Sequence, residues 1–115
     1  MAEATLIVSG GYTGRAPVIR WFEAAALAKH QVLDGEPGDE GVRPLVGCGA
    51  ALPDQKIVIV DPDALTRCGP DEIGEIWASG PSIAQGYWRQ PEATKATFQA
   101  YLKDTGEGPF LRTGD

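Results

Sequence analysis

One histidine and two cysteines are all that the 115 residues offer of the side chains most used for nucleophilic and metal chemistry. His30 stands beside Lys29 in an alanine-rich stretch, with no Gly-x-Ser-x-Gly segment and no evident Ser/Asp partners, so serine-hydrolase chemistry is set aside. It reads as a solvent-facing or capping residue. Cys48 and Cys68 match neither a zinc-ligand spacing nor a Cys-x-x-Cys pair. Two reduced, structural thiols are expected. A Walker-type loop is missing. No apolar run approaches the roughly 20 residues that a membrane helix needs. The start has no basic region followed by an apolar one. These absences predict a cytoplasmic protein without a membrane span or signal peptide. Positive charge is scarce too: Lys and Arg number 10 against 16 Asp and Glu, for a net charge of −6. A general nucleic-acid binder needs a basic face to neutralise phosphates, so that class is excluded.

Glycine and proline are abundant, at 15 and 9 residues. Together with 43% hydrophobic and 23% charged residues, they indicate a globular, turn-rich unit of one domain. Short β-prone runs occupy residues 4–9, 18–22, 45–48, 56–60, 73–79 and 110–112. Residues 56–60 form a continuous β-branched run that predicts a strand buried on both faces. Its expected partner is 73–79, in an antiparallel hairpin with a long loop. Residues 23–30 begin acidic and end basic around Ala and Leu, which suits the helix dipole and predicts a short helix. Residues 33–44 read as an exposed loop. A second helix of about three turns starts at Pro91, with Thr94, Phe98, Tyr101 and Leu102 on one face and Gly106 and Gly108 as its stop. The expected fold class is mainly β with short helices (α+β): a small, distorted β-barrel or antiparallel sheet with one peripheral helix. Residues 1–115 form a single unit in this reading.

Three segments carry a resemblance. The run from Gly74-Glu75-Ile76-Trp77 through Gly80-Pro81 to Gly86-Tyr87-Trp88 resembles a motif of the adenylate-forming (AMP-binding) superfamily. The closing Arg112-Thr113-Gly114-Asp115 resembles another, and the opening Met1-Ala2-Glu3-Ala4-Thr5-Leu6 a third, in the same order. Within the superfamily, Ala2-Glu3-Ala4-Thr5-Leu6 with Val8-Ser9-Gly10, Gly80-Pro81-Ser82, and Thr105 to Phe110 resemble the fatty acyl-AMP ligases. The resemblance implies activation of a long-chain fatty acid with ATP and Mg²⁺. The acyl-adenylate then passes to an acyl carrier protein or polyketide synthase rather than to coenzyme A. It also implies that the chain is the third, barrel-like subdomain of a much longer enzyme, packed on the other ligase subdomains. Residues 18–43 would be the family-specific strand–helix–loop insertion that disfavours coenzyme A ligation.

Adenylation brings a carboxylate to the α-phosphate of ATP, so the site needs a cation and cationic groups. By resemblance, Glu3 is the acid that helps hold Mg²⁺ on ATP. Asp115 is the ribose-binding aspartate, whose carboxylate can accept from both vicinal hydroxyls. Arg112 is either electrostatic support near the nucleotide or a surface arginine. The phosphate loop and the catalytic lysine of the family are not in this sequence. No complete catalytic set is therefore expected, nor activity or bound ATP, AMP or Mg²⁺ in the chain alone. Glu75 reads as a strand-end anchor rather than a general base. Gly80, Gly86 and Gly114 read as backbone conformations that a side chain would obstruct. Tyr87 and Trp88 either line the nucleotide or hinge side or pack in the core, and Trp21 and Phe22 anchor the insertion. The alternatives are a slice of an acyl-CoA ligase or amino-acid-activating domain, in which 18–43 is only a long loop, or a non-catalytic docking module.

Overall fold

A computed structural model describes residues 2–115; Met1, the first residue of the opening motif, lies outside them. A 3₁₀ turn (Ala2–Ala4) is followed by β1 (Ser9–Gly10), β2 (Ile19–Glu23), α1 (Ala24–Leu27), β3 (Val42–Val46), β4 (Ala50–Ala51), β5 (Lys56–Val60), β6 (Glu75–Ser79), α2 (Pro91–Phe98) and β7 (Leu111–Arg112). Among the described residues these build three antiparallel sheets, β1–β4, β2–β3 and β5–β6–β7. The mixed α+β class with short helices is as expected. No sheet closes into a barrel. β5 and β7 remain edges, and β3 carries Pro44, a residue without a ladder donor that strands tolerate at an edge.

The expected hairpin is present. Lys56 lies opposite Ser79, and the register runs to Val60 opposite Glu75. β7 joins the far side of β6, with Trp77 opposite Arg112 and Ala78 opposite Leu111. Side chains alternate across a sheet, so β6 serves two cores. On one face Trp77 packs with Val58, Val60, Phe110 and Leu102. On the other face Leu111 packs with Ala4 and Phe98. The strand buried on both faces is therefore β6, not β5. As an edge strand, β5 buries Val58 and Val60 but leaves Ile59 exposed.

Several elements are shorter than the sequence predicts. Residues 4–9 do not form a strand: Ala4 is drawn into the second core, Thr5 adopts φ +68°, and only Ser9–Gly10 pairs. The helix expected over 23–30 stops at Leu27. His30 takes φ +60°, its N–H donates to the Leu27 carbonyl, and the Gln31 N–H donates to Ala26, which is a Schellman closure with histidine where glycine is usual. The loop expected over 33–44 gives its end to β3. α2 makes two turns rather than three, because Ala100 exchanges both backbone hydrogen bonds with Phe110 (3.1 and 2.8 Å). Leu102 thus enters the core from a bridge-stabilised loop, and Tyr101 stays exposed. No helix among the described residues is long and apolar enough to cross a membrane.

Candidate functional site

Glu3 sits on the opening 3₁₀ turn, which is tied down from three directions. Its carbonyl accepts from the Ala84 N–H at 2.7 Å, Thr5 Oγ1 donates to the Ser82 carbonyl at 2.7 Å, and Ala4 is buried beside Phe98 and Leu111. The carboxylate accepts a hydrogen bond from the Tyr87 hydroxyl at 2.9 Å. Its own backbone N–H and then the Tyr87 hydroxyl hold Glu3 below the usual carboxylate range. The same bond pushes the Tyr87 phenol up.

Tyr87 is itself braced. Its ring meets Phe98 edge-on at 5.0 Å, and its N–H donates to Thr94 Oγ1 at 2.9 Å. Thr94 lies so close that a Cβ on Gly86 would stand 2.3 Å from its methyl group, and Gly86 has φ +147°. Glycine is required there for contact as well as conformation. Trp88 departs from the packing role: it is 83% exposed, with Arg89 over its ring.

Glu75 and Arg112 meet across β6 and β7. Arg112 Nη2 donates to Glu75 Oε2 at 2.6 Å and Nε to the same oxygen at 3.1 Å, while the Gly114 N–H donates to Oε1 at 3.1 Å. Burial alone would raise the Glu75 pKa. The bonds from Arg112 and the Gly114 N–H, with the Trp77 indole nearby, outweigh it, and the carboxyl lies below its ordinary value. The indole favours the charged form although it closes no hydrogen bond of ordinary geometry. Glu75 is thus an anchor, as the sequence indicates, and it fixes the strand that leads into Gly114 and Asp115.

These groups surround two adjoining clefts of about 400 Å³ each. Glu3, Tyr87, Thr97, Arg112 and Thr113 line the first. His30, Ile73 and Asp115 line the second. Glu75, Arg112 and Gly114 form the wall common to both. The fold therefore brings Glu3 and Arg112 together and sets Asp115 on the far side of the shared wall. Asp115 is exposed; its carbonyl accepts from Ile76 at 2.9 Å, and its N–H donates to Thr113 Oγ1 at 3.1 Å. Cys48 and Cys68 are both free, and burial followed by the Glu72 and Asp61 charges pushes the Cys68 thiol up. Among the described residues no three His, Cys, Asp or Glu side chains gather as a metal cluster.

The sequence profile of the AMP-binding enzyme family matches residues 3–88, more than half of the chain. The chain belongs to that family. This AMP-binding chain is 44% identical over 117 residues to the medium-chain-fatty-acid–[acyl-carrier-protein] ligase JamA of Moorena producens, a match covering all of this chain and 20% of that protein. It superimposes on the fatty acid AMP ligase from Legionella pneumophila with a TM-score of 0.91 at 38% identity, covering 100% of this chain and 19% of the other. A Legionella fatty acyl-adenylate ligase in complex with acyl adenylate and pyrophosphate gives a TM-score of 0.89 at 38% identity, over 99% of this chain and 19% of that one. The chain spans about a fifth of the length of the curated relatives it matches.

Tyr87, which the sequence left between the nucleotide or hinge side and core packing, does both: it lines the cleft with Glu3 and packs on Phe98. The usable signal was Gly86 directly before it, a residue that lets the backbone press against Thr94. The partnership of Glu75 with Arg112 also lacked a local signal, because it depends on the register of β6 against β7.

Proposed function

We propose that this chain serves an ATP-dependent fatty acyl-AMP ligase, one that joins a fatty acid to the α-phosphate of ATP and releases pyrophosphate. The observation that carries the reading is the superposition on fatty acyl-adenylate ligases over the whole chain. In this reading Asp115 accepts from the ribose hydroxyls. Arg112, its charge paired with Glu75, gives electrostatic support near the nucleotide from the wall between the clefts. Glu3 is a single, ionised carboxylate in the cleft that Arg112 also lines. Mg²⁺ is typically held by one or two carboxylates together with substrate phosphates and water, so this donor set fits a cation shared with ATP. When bound, Mg²⁺ neutralises phosphate charge as pyrophosphate departs.

Residues 18–43 are the family insertion in this proposal, and they disfavour the use of coenzyme A. The acyl-adenylate passes to an acyl carrier protein or polyketide synthase, a reading supported by the similarity to JamA, a fatty-acid–[acyl-carrier-protein] ligase. The test is the full-length protein with ATP, Mg²⁺, dodecanoate and coenzyme A. Acyl-adenylate and pyrophosphate are expected, with little acyl-CoA. Glu3→Gln and Asp115→Ala are each expected to lower adenylate formation by about a hundredfold. The 115 residues alone are expected to yield none. Acyl-CoA formed as fast as acyl-adenylate would replace this reading with that of a coenzyme A ligase.

A further inference from the structure

We propose that Tyr87 is a positioning residue for the cation site: its hydroxyl occupies Glu3 Oε1 and fixes the carboxylate in the cleft shared with Arg112. The inference rests on the reading of Glu3 as the Mg²⁺ ligand given above. A carboxylate has two oxygens with about four lone-pair sites. The 2.9 Å bond from Tyr87 on Oε1, with the residue's own backbone N–H, takes up only part of that capacity. An unrestrained glutamate must lose rotamer freedom when it takes up a cation. Here that freedom is already restricted from both ends. The backbone of Glu3 is tied to Ala84, and the side chain is tied to the phenol of Tyr87, a residue whose ring is set against Phe98 and whose backbone N–H donates to Thr94 Oγ1.

The arrangement links two distant stretches of sequence. The opening turn supplies the ligand, and the segment after β6 supplies two donors to it, the Ala84 N–H to its carbonyl and the Tyr87 hydroxyl to its carboxylate. Outer partners of metal ligands act this way in general. They orient the ligand, and their loss costs about 10- to 100-fold in metal affinity. Packing alone does not explain the hydroxyl, since phenylalanine would keep the contact with Phe98.

The experiment uses the full-length protein with a non-hydrolysable ATP analogue, and Mn²⁺ in place of Mg²⁺. Bound and free Mn²⁺ are separated by electron paramagnetic resonance, which is independent of turnover. Tyr87→Phe is expected to weaken Mn²⁺ binding about tenfold. Tyr87→Leu, which also loses the ring, is expected to weaken it by a similar factor while lowering the unfolding midpoint further. The Tyr87→Phe change in a Glu3→Gln background is expected to add nothing, since coupled residues are not additive. Wild-type Mn²⁺ affinity in Tyr87→Phe, alongside a defect in Glu3→Gln, would overturn the positioning role and leave Glu3 as the ligand. Wild-type affinity in Glu3→Gln would overturn the reading of Glu3 itself. A Tyr87→Phe loss that persists undiminished in the Glu3→Gln background would mean that Tyr87 acts through some other group.

Discussion

The two halves of the molecule are held in different ways. From Lys56 onward, one three-stranded sheet has a hydrophobic cluster on each face, and Trp77, Phe110, Leu102, Leu111 and Val60 are almost wholly removed from water. Between Ser9 and Ala51 there are two two-stranded sheets, and only Phe22 and Ala26 are buried. Val18, Ile19, Leu45 and Val46 stay exposed there. The difference shows what positions the candidate site. Glu75 and Arg112 stand on the well-buried sheet, and Glu3 reaches it through Ala4. The stretch read as an insertion meets the loop that leads into β6, where the Ile73 N–H donates to the His30 carbonyl and the Val32 N–H to that of Asp71.

The comparison is broken most directly by matched truncations. Phe110→Ala is expected to destabilise by about 3–5 kcal/mol, the range for deleting a buried aromatic ring. Leu45→Ala on β3 is expected to change stability by less than about 0.5 kcal/mol. Urea unfolding of both variants measures the contrast, and equal losses would mean that β2–β3 contributes as much as the main sheet. Gly74→Ala comes next, at about 1–3 kcal/mol. Its new Cβ would stand 2.5 Å from the Val60 carbonyl oxygen and 2.6 Å from Cys68 Sγ, and the backbone oxygen has little room to yield.

Glu75→Gln is expected to cost about 1–3 kcal/mol, since it leaves Arg112 and the Gly114 N–H with a weaker acceptor. It also has a pH signature. The folded-state pKa of Glu75 is lowered, so the unfolded chain takes up the proton first as the solution is acidified. The stabilisation is complete above the ordinary carboxylate pKa and is lost as pH falls through the lowered folded value. The deficit of Glu75→Gln is therefore expected to be full at neutral pH and to shrink in acid. A deficit constant from neutral to strongly acid pH would show that the charge of Glu75 does not matter.

Legibility in the sequence followed the same division. The β5–β6 hairpin was readable because Lys56–Val60 is continuously β-branched and is bounded by Pro53-Asp54 and Asp61-Pro62. α2 began where Pro91 and Glu92 predicted. It ended early because Ala100 found a partner in Phe110, ten residues away, which no local propensity records. The terminal helix turn at His30 failed for a related reason, since a non-glycine residue took the left-handed position. Motif resemblance marked Glu3, Arg112 and Asp115, and the fold set the first two in one cleft. The Tyr87 hydroxyl was hidden, because its partner lies at the other end of the chain.

The smallest expected effect sharpens what holds β2. Arg20 Nη2 donates to both oxygens of Asp34 at 2.7 and 2.8 Å, and its guanidinium also lies over the Phe22 ring at 4.9 Å. The two side chains of the ion pair are 57% and 68% exposed, so the pair is worth a few tenths of a kcal/mol and is screened by salt. The stack on Phe22 depends less on ionic strength, because it covers one of the two buried side chains in that half and lies partly away from solvent. Asp34→Ala removes the pair alone, whereas Arg20→Ala removes both. Arg20→Ala is therefore expected to cost more, by about 0.5 kcal/mol. Adding salt to 1 M is expected to erase the effect of Asp34→Ala and to leave most of that of Arg20→Ala. If both effects vanish together in high salt, the ion pair holds β2, and the Phe22 contact is only proximity.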